Sequence, residues 1–323
     1  MGKASKTALI LAAVFVVLGI ALVSVAFLLS GGELRRFSTD DFETNIHPVT
    51  ESFRSISVTA DTADVRLLPS ADGTASVRCY ETKDEAHTVA VRDGVLTVSV
   101  VIDRQWYEYI GVRVADPVIT VYLPQTGYDS LLLDVSTGDI EIPEGFTFDS
   151  MDISASTGHV KSCASVTGAA RIRTSTGSIT VEGVSADSLE LSVSTGRITV
   201  RSAVCTGDIQ IHTSTGDARL TDVTCASLIS DGSTGDLEMS RVVATERFDL
   251  ARSTGDVEFE RCDAGEVRIK TTTGEVEGSL LSEKVFTVQT DTGDVEVPKS
   301  NSGGSCEITT DTGDIEIEIC RDK

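Results

Sequence analysis

Six acidic residues, Asp217, Asp236, Asp256, Glu275, Asp294 and Asp314, each stand directly after a glycine and recur every 19 or 20 residues. If neighbouring copies stack as strands do, about 4.8 Å apart, the carboxylates form a file along one edge. Clustered carboxylate oxygens suit a hard cation, so calcium is the one cofactor this file could hold, and otherwise no cofactor is expected. Charges at that spacing in water repel by about 0.9 kcal/mol per neighbouring pair, which turn hydrogen bonds and solvent can absorb. The calcium β-roll nonapeptide is absent and one carboxylate per copy is sparse. The preferred reading is therefore mechanical. In the tetrad Ser-Thr-Gly-Asp the glycine admits positive φ, the Asp bonds back to its own turn, and the Thr, present in every copy, forms a hydroxyl ladder.

Seven cysteines are present, Cys79, Cys163, Cys205, Cys225, Cys262, Cys306 and Cys320, an odd number without Cys-x2-Cys spacing. As a set they read as small buried hydrophobes. Cys205 and Cys225 each lie nine residues after their glycine in adjacent copies, the one pair that stacking would bring within disulfide reach. Catalysis has little to build on. His47, His87, His159 and His212 are isolated, and neither Gly-x-Ser-x-Gly nor Gly-x4-Gly-Lys-Ser/Thr occurs. Enzymes built on β-helices carry their sites on long loops, for which repeats of 19 or 20 residues leave no room. No catalytic, cofactor-binding or metal-ligating residue is assigned, and the protein is expected not to be an enzyme. Leu123-Pro124-Gln125-Thr126-Gly127 matches a cell-wall sorting pattern, but a long folded stretch follows, so it reads as a strand stopped by Pro124 and a turn.

The elements that must position these residues follow from the repeat. The tetrad glycine recurs at Gly138, Gly158, Gly177, Gly196, Gly216, Gly235, Gly255, Gly274, Gly293 and Gly313. Two and four places after it the residues are apolar, as in Ile198 and Val200 or Ile315 and Ile317. Seven and five places before it they are apolar again, as in Leu189 and Leu191 or Ile209 and Ile211. This alternation is the period of a half-buried strand. One copy cannot bury its apolar row, whereas ten stacked copies bury one core. The fold class is all-β, a single-chain β-solenoid close to a parallel β-helix, with one coil per repeat; an antiparallel stack of hairpins is the alternative. A propeller is disfavoured, since its blades want about 40 residues.

Five segments are expected. Residues 1–6 form a short cytoplasmic tail and 7–30 a transmembrane anchor, since Thr7 to Leu29 is uncharged and long enough to span a bilayer. Residues 31–52 are a polar stalk, 53–130 an irregular β entrance in which Trp106, Tyr107 and Tyr109 cap the solenoid, and 131–323 the ten-copy solenoid. The chain has 50 Asp+Glu against 27 Lys+Arg, a net charge of -23, which excludes nucleic acid as a partner. Lys3, Lys6, Arg35 and Arg36 against Glu33 make the membrane end basic, so the body holds all the acid excess. Such a body is expected outside the cytoplasm, making the protein a single-pass protein of the cell membrane.

The segments Phe53-Arg54-Ser55-Ile56, Ala63-Asp64-Val65, Asp93-Gly94-Val95-Leu96 and Val121-Tyr122-Leu123-Pro124, followed by repeated Ser-Thr-Gly-Asp-Ile, resemble the bacterial β-strand-repeat family of unknown function labelled putative adhesin. The resemblance covers residues 53–323 and implies a fold and a surface setting rather than an activity. Beyond the bilayer itself, the expected partner is an envelope protein or glycan, and the expected role a membrane-anchored binding or adhesion module. The alternatives are an envelope stress sensor acting through protein contacts, or a polymer like the bactofilins. The oligomeric state is not legible.

Overall fold

The computed structural model describes residues 42–82, 85–102 and 117–320, together with Ala12, residues 14–21 and Ser24. Strand Ile209–Thr215 shows how sequence becomes coil: Ile209 and Ile211 point inward and are 1% exposed or less, while Gln210 and His212 face solvent. The inward file runs in parallel register through Leu189, Ile209, Leu228, Phe248, Val267 and Cys306. After the turn, Ile198, Ala218, Leu237, Val257, Val276 and Ile315 form a second such file. Each buried Leu, Ile or Phe contributes about 1.5–3 kcal/mol, and one core cluster runs from Ile56 to Ile317. The coils are parallel, which removes the antiparallel alternative.

The tetrad corner needs glycine for two reasons. Its φ lies between +124° and +158°, a region side chains rarely adopt. The glycines also stack on one another: a Cβ on Gly216 would sit 1.7 Å from the Gly196 carbonyl oxygen, and one on Gly177 would sit 1.9 Å from that of Gly158. The ladder here is backbone. The N–H of Gly216 donates to the Thr234 carbonyl of the next coil at 2.8 Å, and that of Gly255 to Thr273 at 2.9 Å. Among the described residues the tetrad threonines align without the expected hydroxyl bonds.

The five coils that start at Gly177, Gly196, Gly216, Gly235 and Gly255 have a third side beyond the two strands that flank the tetrad. Six residues after the glycine the chain bends again through a left-handed residue, Gly183, Ser202, Asp222, Arg241 or Arg261, with φ from 51° to 67°. The short third side turns Ala203 and Cys205, Val223 and Cys225, Val242 and Ala244, and Cys262 and Ala264 into the core, where small side chains fit.

Both ends are threaded out of sequence order. Gly304–Thr312 and Ile315–Ile319 lie between the coil of Val257–Thr273 and Val276–Leu280 and an outermost coil of Lys284–Thr292 and Val295–Glu296. In the inner place Cys306, Ile308, Ile315 and Ile317 are 2% exposed or less, whereas Val285 and Val295 of the outermost coil are exposed. Gly303 and Gly304 permit the crossing, since a Cβ on either would meet a backbone oxygen of a neighbouring coil within 2 Å.

At the other end Ser55–Thr62 and Asp64–Pro69 form a full coil with Ala63 in the glycine's place, placed between Gly127–Thr137 with Ile140–Ile142 on one side and Val95–Ile102 with Val118–Leu123 on the other. Antiparallel strands close this end: Ala75–Thr82 pairs with Val118–Leu123, Phe42–Val49 with Ala75–Thr82, and Glu85–Arg92 with Val95–Ile102. Residues 42–49, read from the sequence as stalk, are therefore a strand of the cap, held by the Phe42–Tyr80 ring stack at 4.8 Å and the Asn45–Glu81 hydrogen bond. Among the described residues no helix is long and apolar enough to cross a membrane. Most of the expected anchor 7–30 lies outside the described residues, as do Trp106, Tyr107 and Tyr109.

Candidate binding face

The six carboxylates after the tetrad glycines do form one file, in the spatial order Asp217, Asp236, Asp256, Glu275, Asp314, Asp294; the last two exchange places because the final strands insert beneath the outer coil. Their hydrogen bonds run between coils rather than within a turn. The N–H of Asp256 donates to Asp236 Oδ1 at 3.0 Å, that of Glu275 to Asp256 Oδ1 at 2.8 Å, and that of Asp294 to Asp314 Oδ1 at 2.7 Å. The same device continues where the file is not acidic, with His159 N–H on Asp139 Oδ1 and Ser178 N–H on His159 Nδ1. Much of this file is thus occupied in holding coil to coil, as an N-cap carboxylate holds a helix start. Asp217 is also paired with Arg197 at 2.9 Å, and that hydrogen bond holds its carboxyl below the usual range against partial desolvation.

A second acidic file stands beside the first, and the sequence reading passed over it. Three residues after the glycine, between the inward apolar positions, Glu238, Glu258, Glu277, Glu316 and Glu296 lie in direct register on neighbouring strands, with Arg219 before them. The signal was present in the sequence as the polar residue of each apolar-polar-apolar triplet. Arg219 pairs with Glu238 at 2.7 Å, but among the described residues no ion pair reaches Glu258, Glu277, Glu316 or Glu296. Partial desolvation, then the charges of Glu238 and Glu277, push the Glu258 carboxyl above its ordinary range. Glu238, Glu258, Glu277 and Glu316, with Glu260 and Glu318, line a shallow groove of about 540 Å³ that begins at Arg201 and Arg219. The strands before the turn differ: Arg171 pairs with Glu190 at 2.7 Å, Arg173 with Asp152 at 3.2 Å and Arg268 with Glu307 at 3.3 Å. One sheet is charge-balanced and the other is a bare carboxylate array.

The two shifted carboxyls predict opposite pH behaviour. The folded state binds a proton at Glu258 more readily than the unfolded chain does, so its charge costs stability at neutral pH and the cost vanishes as pH falls through the carboxylate range. Asp217 is the reverse, stabilising above its unfolded value of about 3.9 and losing that contribution as pH falls through its depressed pKa. Glu258→Gln should raise, and Asp217→Asn lower, the denaturation midpoint at pH 7, each by about 0.2–0.5 kcal/mol after solvent screening. Both differences should shrink toward pH ~2–3 when unfolding is followed by circular dichroism.

Cys205 and Cys225 lie on neighbouring parallel strands. Their strands are in register up to the residues just before them, both thiols are free and buried, and burial pushes them up to about 11 and about 12, with Cys205 among the groups that raise Cys225.

A family model described as Toastrack DUF4097 matches residues 53–222 and 205–323. Among solved structures, a putative adhesin from Parabacteroides merdae is 16% identical with a TM-score of 0.52, over 75% of this chain and 97% of its own. A putative lipid binding protein from Parabacteroides distasonis is 17% identical with a TM-score of 0.51, over 75% of this chain and 98% of its own. At these identities the likeness is one of fold. No curated protein matches the chain.

Proposed function

We propose a non-catalytic binding role for this chain, which belongs to the Toastrack DUF4097 family: a membrane-anchored, extracytoplasmic β-solenoid whose glutamate file takes a cationic partner from the cell envelope. The observation that carries this reading is the in-register run of Glu258, Glu277, Glu316 and Glu296, which no ion pair reaches among the described residues and which follows the Arg219–Glu238 pair, while the neighbouring sheet carries paired charges. Carboxylates held by a rigid stack are preorganised for a partner of matching positive spacing and need little ordering on binding. A basic protein surface, a cationic peptide, or a glycan bridged by divalent cations would satisfy it. The names of the similar structures, adhesin and lipid binding protein, point toward binding as well. The segment 7–30 would hold the solenoid at the outer face of the bilayer. The test is loss of affinity for a lysine decapeptide when the glutamate file is neutralised.

A bactofilin-like polymer has less support. One end presents the parallel coil Lys284–Thr292, while the other ends in antiparallel strands, so a repeating head-to-tail contact would have to join unlike edges.

In the oxidising setting outside the cytoplasm, Cys205 and Cys225 would close as a disulfide. Chain denatured in chelator without reductant should then take up five alkyl groups by intact mass, and all seven only after reduction. Seven labels without reductant would exclude the bridge.

A further inference from the structure

The capped end of the solenoid holds a polar cluster that the binding face does not use. Cys79 and Glu81 project inward from Ala75–Thr82, and His87 projects inward from Glu85–Arg92; they are 0%, 1% and 6% exposed. Their Sγ, carboxylate and imidazole atoms all lie within 4.8 Å of one another. Elsewhere in the stack the inward positions of strands are filled mainly by Val, Ile, Leu, Ala and Phe. Here a thiol, a carboxylate and an imidazole converge from two strands.

We propose that Cys79, Glu81 and His87 form a zinc site that locks the cap onto the solenoid. A thiolate, an imidazole and a carboxylate are each common zinc ligands, and the thiolate disfavours calcium and magnesium, which take oxygen. The charge balances: a divalent ion with one thiolate, one carboxylate and a neutral imidazole is neutral overall, as a buried site requires. The carboxylate is already oriented, since Asn45 Nδ2 donates to Glu81 Oε1 at 2.7 Å and the His87 backbone N–H donates to Glu81 Oε2 at 2.7 Å. Such supporting bonds are the usual company of a metal-binding carboxylate. His87 Nδ1 lies 2.7 Å from the same Oε2, so the metal would take the place of a proton shared between them. Three protein ligands leave one tetrahedral position. Because Asn45 and Glu81 join Phe42–Val49 to this cluster, the metal would fix the first strand after the membrane segment to the body.

The full chain, purified in detergent, stripped with chelator and titrated with Zn2+ or Co2+, tests this. The expected result is one metal per chain by elemental analysis, a sulfur-to-cobalt charge-transfer absorption with Co2+, and a melting temperature several degrees higher with Zn2+ than in chelator. Cys79→Ser should abolish the absorption, while Cys205→Ser/Cys225→Ser should keep it. If Cys79→Ser does not fold, His87→Gln decides, since it leaves every thiol in place. Absence of the absorption in the unaltered chain, or its persistence unchanged in either cluster variant, would overturn the assignment and leave Glu81 and His87 as a buried pair alone.

Discussion

Replacing Gly216 by alanine is expected to lower stability by about 3–5 kcal/mol, among the largest effects of a single methyl group added in the repeat. Two independent penalties meet there. The residue sits at φ +131°, where an L side chain is strained, and its new Cβ would lie 1.7 Å from the Gly196 carbonyl oxygen. That oxygen belongs to backbone, so it cannot rotate away as a side-chain tip could. Relief requires the two coils to part, and parting them breaks the N–H bonds from Gly196 to Thr215 and from Ile198 to Asp217, at 2.9 and 3.0 Å. Gly183→Ala is the internal comparison. It has φ +67° with nothing within 4 Å of the added methyl, so it should cost only about 1 kcal/mol. Chemical denaturation of the two variants side by side checks the difference. Because a solenoid couples only neighbouring coils, amide exchange in Gly216→Ala should quicken first in Ile209–Thr215 and Ala218–Thr234, with the ends of the stack little changed.

Neutralising the second acidic file should have the opposite sign on stability and the largest effect on binding. In Glu238→Gln/Glu258→Gln/Glu277→Gln/Glu316→Gln, repulsion among the unpaired Glu258, Glu277 and Glu316 on adjacent strands falls by more than the loss of the exposed Arg219–Glu238 pair costs, so the denaturation midpoint should rise slightly. Affinity for a fluorescent lysine decapeptide at low salt should fall. Four lost contacts of about 0.5 kcal/mol each amount to about 2 kcal/mol, or roughly thirtyfold. The affinity of the unaltered chain should also drop steeply with added salt, and that dependence should be shallower in the variant. The control is Asp152→Asn/Glu190→Gln on the charge-balanced sheet, which should leave affinity within about twofold. The same loss per removed charge in both variants would mean that net charge, and not this face, governs association.

Much of this arrangement is legible in the sequence because a solenoid repeats its reasoning. The alternation at Ile209 and Ile211, and at Ile198 and Val200, states which side is core, and the spacing of the tetrad glycine states the coil length. Other features leave no such mark. The exchange of the last two coils is invisible, since tetrads at Gly293 and Gly313 look alike wherever their strands are threaded, and residues 284–297 and 304–319 carry similar apolar rows. The second corner is hidden because Gly183 is followed, at the same place in later coils, by Ser202, Asp222, Arg241 and Arg261, which adopt the left-handed conformation without advertising it.

The role of the tetrad aspartates was read as local, whereas Asp236, Asp256 and Asp314 reach across to the next coil. That difference bears on function. It assigns the first acidic file mainly to holding the stack and moves attention to the glutamates beside it. The cluster of Cys79, Glu81 and His87 escaped because its members come from two strands, with spacing that matches no metal motif.

Hydrogen exchange of the full chain with and without the lysine decapeptide tests the binding account most directly. The glutamate file predicts added protection in Leu237–Thr254, Val257–Thr273, Val276–Leu280 and Ile315–Ile319, concentrated on the residues flanking Glu238, Glu258, Glu277 and Glu316. Protection confined to the charge-balanced strands Ala169–Thr176 and Ser188–Thr195, or protection that survives the four glutamine substitutions, would contradict it.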